Sequence, residues 1–313
     1  MLSEQLLGSR IVLRYRRAER DGRPPLTDLV GELVELTDQA VTVRSRAGEQ
    51  VVPRSAVLLV RRVGASRRDI LELARISRLG WRAAHQFELS GWLLSADRGW
   101  TGRANSVLPL RTPEQPLTEL LTAARAFYAG HGLPLWVQLP LPARGLLDAE
   151  LAGRCWQRHR PAVVLTRPLT GLEPAAGLPV QLAAAPDDDW LDACRQHGAP
   201  LPDFARQLLI RHDTVTFASI RLAGRTVAVG RGCVDEGWLG ITSIEVAPDC
   251  RRQGLASALV GQLAAWGAGH GATTGYLQVD EANEPALALH ARLGFTFHHR
   301  YHYRVEPAEP GAC

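Results

Sequence analysis

Val246-Ala247-Pro248-Asp249-Cys250-Arg251-Arg252-Gln253-Gly254-Leu255-Ala256 reads as a strand that stops at a proline, a basic turn, and a helix that opens on small residues. Pro248 cannot donate to a strand ladder, so pairing ends there. Gly254 and Ala256 keep bulk away from the first helical turn, whose backbone N–H groups have no partner inside the helix. Those N–H groups and the positive end of the helix dipole favour an anion. Arg251 and Arg252 add fixed charge, and the arginine fork suits phosphate oxygens. The stretch predicts a loop that holds a phosphate or pyrophosphate. Read alone, it leaves a plain capped helix with surface arginines as the alternative.

Outward from this loop the pattern is mixed. Residues 180–184, 216–222, 225–233, 238–246, 274–279 and 296–305 read as strands, and 216–233 as a hairpin about Ala223-Gly224. Residues 187–194, 203–211, 254–268 and 285–293 read as helices, with Asp187 placed to cap the first. The order β-α-α-β-β-β-α-β-α-β predicts a mixed α/β layer fold.

The loop resembles the R/Q-x-x-G-x-G/A acyl-CoA motif of the GNAT superfamily of N-acetyltransferases, through Arg251, Gly254 and Ala256. Asn283, Ala286, Leu289, Gly294 and Phe295 match that family's N-x-x-A-x-x-L-Y-x-x-x-G-F pattern, in register with the loop. The resemblance covers residues 176–306. With 1–170 included, the chain resembles actinobacterial members that carry an SH3-like barrel and a degenerate GNAT-like region ahead of the catalytic domain. It implies acetyl-CoA as cosubstrate, held by Ile244, Val246, Arg251, Arg252, Gln253, Gly254, Leu255, Ala256, Ser257 and Asn283. It also implies direct attack of an amine on the thioester in a ternary complex, with the Val246 N–H as oxyanion donor.

His290 departs from the pattern, standing where the family has Tyr. That Tyr protonates the leaving thiolate in the family. A His of ordinary pKa is roughly a quarter protonated at pH 7 and can do the same. The other reading is that His290 fills space and water supplies the proton. Glu245 is the first choice of general base, because it faces away from Ile244 and Val246 on their strand. Substrate binding or plain solvation is the rival role. Asp235 and Glu236 are second choices.

The first 170 residues are less explicit. Segments within residues 8–63 alternate as short strands with turns between them, predicting a small β-barrel over 1–65. A helix is expected over 67–86. Strands are expected over 92–94, 105–110, 135–139 and 162–166, and helices over 118–129 and 147–154. Residues 168–179 are rich in Pro and Gly and read as a linker. The divisions expected are 1–65, 66–170 and 176–308.

A repeat links the last two. His131-Gly132 precedes Gln138, and His270-Gly271 precedes Gln278, each after a helix and before an apolar strand. Trp156 then follows Gln138 as Phe295 follows Gln278. In the first copy, residues 103–113 lack Gly-x-Gly or Gly-x-Ala, and Pro113 and Pro116 precede the helix. That copy is expected to have lost CoA binding.

Composition bounds the rest. The 313 residues hold 46% hydrophobic and 22% charged residues, which excludes a largely disordered chain. No apolar run spans a bilayer and no secretory leader is evident, so no membrane partner is expected. Five scattered cysteines without a CxxC pair argue against a disulfide framework or zinc site, and for the cytoplasm. His298, His299 and His302 lack a completing Cys or carboxylate, so no metal is expected. All 36 basic residues are Arg, which codon bias explains, and the chain has no side-chain amine to acylate.

Residues 176–313 carry 11 Arg and 15 acids, a balance of −4 that suits a cationic acceptor. Residues 1–65 (11 Arg, 8 acids) and 66–175 (14 Arg, 9 acids) are basic, which hints weakly at nucleic acid. The acceptor stays open among a small amine, a peptide N-terminus and a protein lysine. The alternative function is a non-catalytic acyl-CoA sensor with a docking barrel.

Overall fold

The computed structural model describes all residues except 1–5, 7–9, 18–25, 46, 175–176, 197–198 and 308–313. The end of the C-terminal tail, from 308, lies outside the described residues, as does part of the expected linker. The chain divides into two compact units, 1–66 and 67–313.

The first unit is an antiparallel sheet of β1 (Arg10–Arg16), β2 (Leu26–Leu36), β3 (Ala40–Ser45), β4 (Gly48–Pro53) and β5 (Val57–Arg62), in the order β4-β3-β2-β1-β5. Alternation places Ile11, Leu13, Leu29, Leu33, Val41, Val43 and Val52 on one face as the core. Gly31 is required where β2 crosses β3, since a Cβ there would lie 2.3 Å from the Arg44 carbonyl oxygen.

The second unit begins with α1 (Arg67–Leu79), β6 (His85–Leu89), β7 (Trp92–Ala96), β8 (Val107–Pro109), α2 (Leu117–Gly130), β9 (Trp136–Leu141), α3 (Gly145–Gly153) and β10 (Gln157–Pro168). It continues with β11 (Val180–Ala183), α4 (Asp188–Ala193), β12 (Arg195–Gln196), β13 (Ala199–Pro200), α5 (Ala205–Leu209), β14 (Val215–Leu222), β15 (Arg225–Asp235) and β16 (Trp238–Val246). It closes with α6 (Leu255–Gly269), β17 (Thr274–Asp280), α7 (Glu284–Arg292) and β18 (Thr296–Val305). The helix expected to reach residue 86 stops at Leu79. Gly80 follows, packed so closely that a Cβ would lie 2.9 Å from the Cys233 sulfur, and residues 85–89 are strand.

Eleven strands form one mixed sheet, ordered β11-β14-β15-β16-β17-β10-β18-β9-β8-β7-β6. The order is nearly palindromic about β10 and β18. On one side β16 and β17 are parallel, and on the other β8 and β9. The central pair is exchanged: β10, from the first copy, pairs with β17, and β18, from the second, pairs with β9.

The repeat extends to hydrogen-bond detail. His131 and His270 each bond through Nδ1 to the carbonyl four residues back, at 2.8 Å. Gly132 and Gly271 follow with φ of 66° and 85°, the left-handed C-terminal stop that Gly adopts without strain. Gln138 accepts from Arg78 and Gln278 from Arg103. The Trp156 N–H bonds the Leu151 carbonyl as the Phe295 N–H bonds that of His290.

The stretch expected to be a linker is partly docked. Leu169 and Leu172 are buried in the core under α6, and Gly261 lies against the Glu173 backbone, where a Cβ would be 2.5 Å from the carbonyl oxygen. Cysteine arithmetic also needs correction: Cys155 is disulfide-bonded, while Cys194, Cys233 and Cys250 are free and buried.

Candidate active site

The site is built where β16 and β17 part. They pair in parallel only from Trp238↔Thr274 to Ile241↔Leu277. Beyond Ile241 a bulge redirects β16. Ser243 has φ 56°, and the register with β15 jumps between Val229↔Glu245 and Arg231↔Thr242. One extra residue on the bulged strand bends it and raises its twist. The last residues of β16 therefore leave β17, and a cleft opens along their backbone.

Hydrogen bonds show which groups face that cleft. The Ala247 N–H bonds the Val227 carbonyl at 2.8 Å, toward β15. Successive backbone groups point to opposite sides of a strand, so the Val246 N–H points the other way, into the cleft. Arg251 folds back over the same edge, with Nε donating to the Val246 carbonyl at 3.3 Å. Ile244, Val246 and Ala247 pack toward the core under α6.

The loop then turns through a 3-10 segment, Pro248–Cys250, into α6. Gly254 holds φ 82° at the N-cap, and Arg252 before it φ 64°. No atom lies within 4 Å of a Cβ built on Gly254, so it is the backbone angle, not crowding, that calls for glycine. Arg251, Arg252, Gln253 and Gly254 are exposed, while Leu255 anchors the helix in the core. Ala256 and Ser257, on the first turn, are half-buried. Asp249 is occupied by Arg225 at 2.5 Å, which removes its negative charge from competition with an anion.

Glu245 lies on the face opposite α6. Its strand partner Val229 packs with Trp190 and Cys194 of the cluster beneath α4 and α5. The carboxyl is half-buried, and burial pushes its pKa above the ordinary range, with Arg251 acting the other way. Burial also pushes the neighbouring Cys194 thiol up to about 12, with the negative charge of Glu245 adding to the rise.

His290 lies on the last turn of α7, 5% exposed, edge-on to Phe295 with ring centroids 5.7 Å apart. Its Nδ1 is buried without a partner. Burial lowers its pKa to about 4. This corrects the expectation of a quarter-protonated residue: at pH 7 the imidazole is neutral, with roughly 0.1% charged. Asn283 caps α7, its side-chain oxygen accepting from the Ala286 N–H at 3.2 Å. Sequence reading missed that capping role, although N-x-x-A before a helix is a capping pattern.

The second-choice bases serve elsewhere. Asp235 accepts from His212 Nε2 at 2.6 Å and lies 3.6 Å from Arg82. Glu236 pairs with Arg75 on α1. Both belong to the turn that starts β16, and β16 rises about 3.3 Å per residue, so this turn is about 26 Å from Val246. His298 and His299 bond each other through Nδ1 atoms at 2.7 Å, and His302 bonds Asp148 at 2.8 Å, so the three do not converge on one point. Trp190 is core, its Nε1 donating to the Ala218 carbonyl at 3.0 Å. Among the described residues no helix is long and apolar enough to cross a membrane.

A polar recess on the Glu245 face adds residues that the sequence did not flag. Gln278 and Asp280 of β17 meet Arg103, Arg160, Tyr301 and Tyr303 around about 100 Å³. Arg103 comes from the first copy, 4.3 Å over the Trp81 ring, and reaches Gln278 at 3.4 Å. No local signal could have joined Arg103 to residues some 175 positions away, since only the shared sheet does so.

Comparison with known proteins agrees with this geometry. Residues 68–304 match the family described as "Probable histone acetyltransferase Rv0428c C-terminal", and 5–61 match "Rv0428c N-terminal Sm-like domain". A Mycobacterium tuberculosis protein named "Probable histone acetyltransferase Rv0428c" is 34% identical, over 99% of this chain and 98% of its own. The Bacillus subtilis protein named "Uncharacterized N-acetyltransferase YobR" is 25% identical, over 76% of this chain and 99% of its own. A GCN5-related N-acetyltransferase from Kribbella flavida shares the fold, at TM-score 0.57 and 19% identity, over 76% of this chain and 97% of that one. A tandem GNAT protein from the clavulanic acid biosynthesis pathway does too, at TM-score 0.51 and 15% identity, over 80% and 91%. The splayed strands, the loop and these relatives converge: the chain belongs to the Rv0428c family and is an N-acetyltransferase of GNAT type, with two related copies in one sheet behind a small Sm-like β domain.

Proposed function

We propose that the protein transfers acetyl from acetyl-CoA to a primary amine by direct attack in a ternary complex. The observation that carries this reading is the cleft between β16 and β17, with the Val246 N–H turned into it and the Gly254 loop at its mouth. Exposed backbone of Ile244 and Val246 offers strand-like hydrogen bonds to the pantetheine arm of CoA. The residues from Arg251 to Ser257 hold its pyrophosphate through N–H groups, helix dipole and guanidinium charge. Asn283 keeps α7, and with it His290, in position at the other wall.

In the reaction, the acceptor amine approaches from the Glu245 face. Glu245 takes its proton, directly or through one water. Its raised pKa makes it a better base than a fully solvated carboxylate. The amine attacks the thioester carbonyl, and the developing oxyanion accepts from the Val246 N–H. Collapse breaks the C–S bond. The neutral His290 donates an N–H hydrogen bond to the departing sulfur, and the proton left on the attacking nitrogen passes through water to the thiolate and completes the thiol.

The acceptor class favoured is a lysine of a basic protein. The M. tuberculosis relative is named a probable histone acetyltransferase, and the −4 balance of residues 176–313 would attract such a partner. The test is CoA-thiol release with a panel of lysine-rich proteins, peptide N-termini and small amines. Turnover on the proteins, with acetyl-lysine found by mass spectrometry, is the expected result. Acetyl-CoA binding with no thiol release from any amine, unchanged by Glu245→Gln, would instead mark a CoA sensor.

A further inference from the structure

The first copy has its own cavity where the second copy has the CoA cleft. It lies between the loop from β8 to α2 and the loop from β9 to α3, with about 550 Å³ of space. That size lies within the ~300–1,000 Å³ usual for small-molecule sites. The repeat fixes its equivalence: Arg144 stands at the N-cap position of α3 as Asn283 does at that of α7, though only Asn283 makes a side-chain cap. The chemistry is nevertheless different. The loop has no Gly-x-Gly or Gly-x-Ala, and α2 starts directly after Pro116, so the pyrophosphate cradle is missing.

One buried guanidinium in this cavity is only partly paired among the described residues. Arg144 is 5% exposed, and its one hydrogen bond among the described residues runs from Nε to the Pro109 carbonyl at 2.6 Å. Among the described residues its two terminal nitrogens have no acceptor and no carboxylate beside them. Arg67, which also lines the cavity, adds like charge. The carboxylate on the rim, Glu150, pairs with Arg154 at 3.0 Å instead. Trp92 lines the cavity and is fully buried, with its indole N–H unpaired. A buried charge without a counter-charge is costly, and an anion in the cavity relieves it. Arg111, Thr112 and Gln115 also line the cavity, and Leu117, Pro142 and Leu147 supply apolar wall.

We propose that this cavity is a second ligand site, which takes an amphipathic monocarboxylate: the carboxylate on Arg144, the apolar body along Leu117 and Leu147 beside the Trp92 ring. A carboxylate matches the planar guanidinium fork. The site is independent of acetyl transfer at the β16–β17 cleft.

The experiment uses the full-length, 15N-labelled protein with octanoate as probe. The Trp92 indole N–H resonance is assigned as the signal lost in Trp92→Phe. Octanoate is expected to move it saturably, because the Trp92 ring lines the cavity that the ligand fills. Octanamide, matched in length but uncharged, is expected to leave it in place. Arg144→Met should weaken octanoate at least tenfold. Should that variant fail to fold, Arg144→Lys and Arg67→Met carry the test, and each must still weaken binding. The proposal is overturned if octanamide shifts the resonance equally or if the arginine variants bind octanoate like wild type. It is also overturned if acetyl-CoA produces the same Trp92 shift, which would make the cavity a second CoA site.

Discussion

Glu245 sits between two opposing influences, burial that favours its neutral form and Arg251 that favours its charged form. As a base it must be deprotonated, so kcat/KM should rise with pH through a pKa above the ordinary carboxylate value. Glu245→Gln should cut kcat by about 100-fold or more and remove that acidic limb, leaving the acetyl-CoA affinity near wild type. A pH–rate profile in which the limb persists would move the base elsewhere. His290 makes a separate prediction about stability. Its folded pKa of about 4 lies below the unfolded value near 6.5, so the unfolded chain takes up the proton first. Its contribution is therefore complete above pH 6.5 and is lost as pH falls toward 4. At pH 5 the loss is about 2 kcal/mol, and His290→Phe should escape it. Urea unfolding of both proteins at pH 7 and pH 5 measures the difference, and parallel losses would show that His290 is not the titrating group. His290→Tyr, which restores the residue of the family motif, should keep turnover. His290→Phe, which lacks the N–H, should lower it about tenfold. The residue type was legible at both positions. The burial that sets their protonation was not, because it is made by packing against groups such as Cys194 and Phe295 that only folding assembles.

The α6 loop and the α7 cap act as elements, and each can be weakened by one substitution. Gly254→Ala meets no atom, so its cost is the left-handed backbone angle alone, about 1 kcal/mol. Gly254→Asp adds a negative charge at the anion site and should lower CoA affinity more than tenfold, read by calorimetry, with little further change in thermal midpoint. Asn283 allows a cleaner separation of roles. Asn283→Ala should cost about 1 kcal/mol as a lost N-cap, and Asn283→Ser should restore most of it. If Asn283→Ser keeps stability but loses CoA affinity, the amide also touches the cofactor. These elements read well from sequence because their signals are local: a proline stop, small residues at a helix start, an Asn three residues before Ala286. The bulge at Ser243 did not read. A one-residue insertion in a strand is visible only against its partner β15, and it is the bulge that opens the cleft.

For the whole molecule, the exchange of β10 and β18 decides what can fold alone. Residues 171–313 lack β10, so β17 would expose an unpaired edge beside Leu277 and Val279, which belong to the core. This piece should be insoluble or bind no acetyl-CoA, and co-expression with residues 67–170 should rescue it. A well-dispersed NMR spectrum from 171–313 alone would refute the interdependence. Residues 67–313 without the first unit should keep CoA binding, since the two units are separately compact. The repeat was visible in sequence through His131-Gly132, Gln138 and their counterparts, because capping residues obey local rules. The exchange was not, because nothing local tells β10 which neighbour it will find. By itself the sequence determined the glycine loop at the start of α6, the acetyltransferase motifs and the presence of two copies, since each rests on short-range backbone chemistry. Only the tertiary structure decided that both copies share one sheet, that Asp235 and Glu236 are far from the cleft, that His290 is neutral and that Arg103 reaches the Glu245 face. Those outcomes depend on burial and strand order, which arise from contacts between residues distant in the chain.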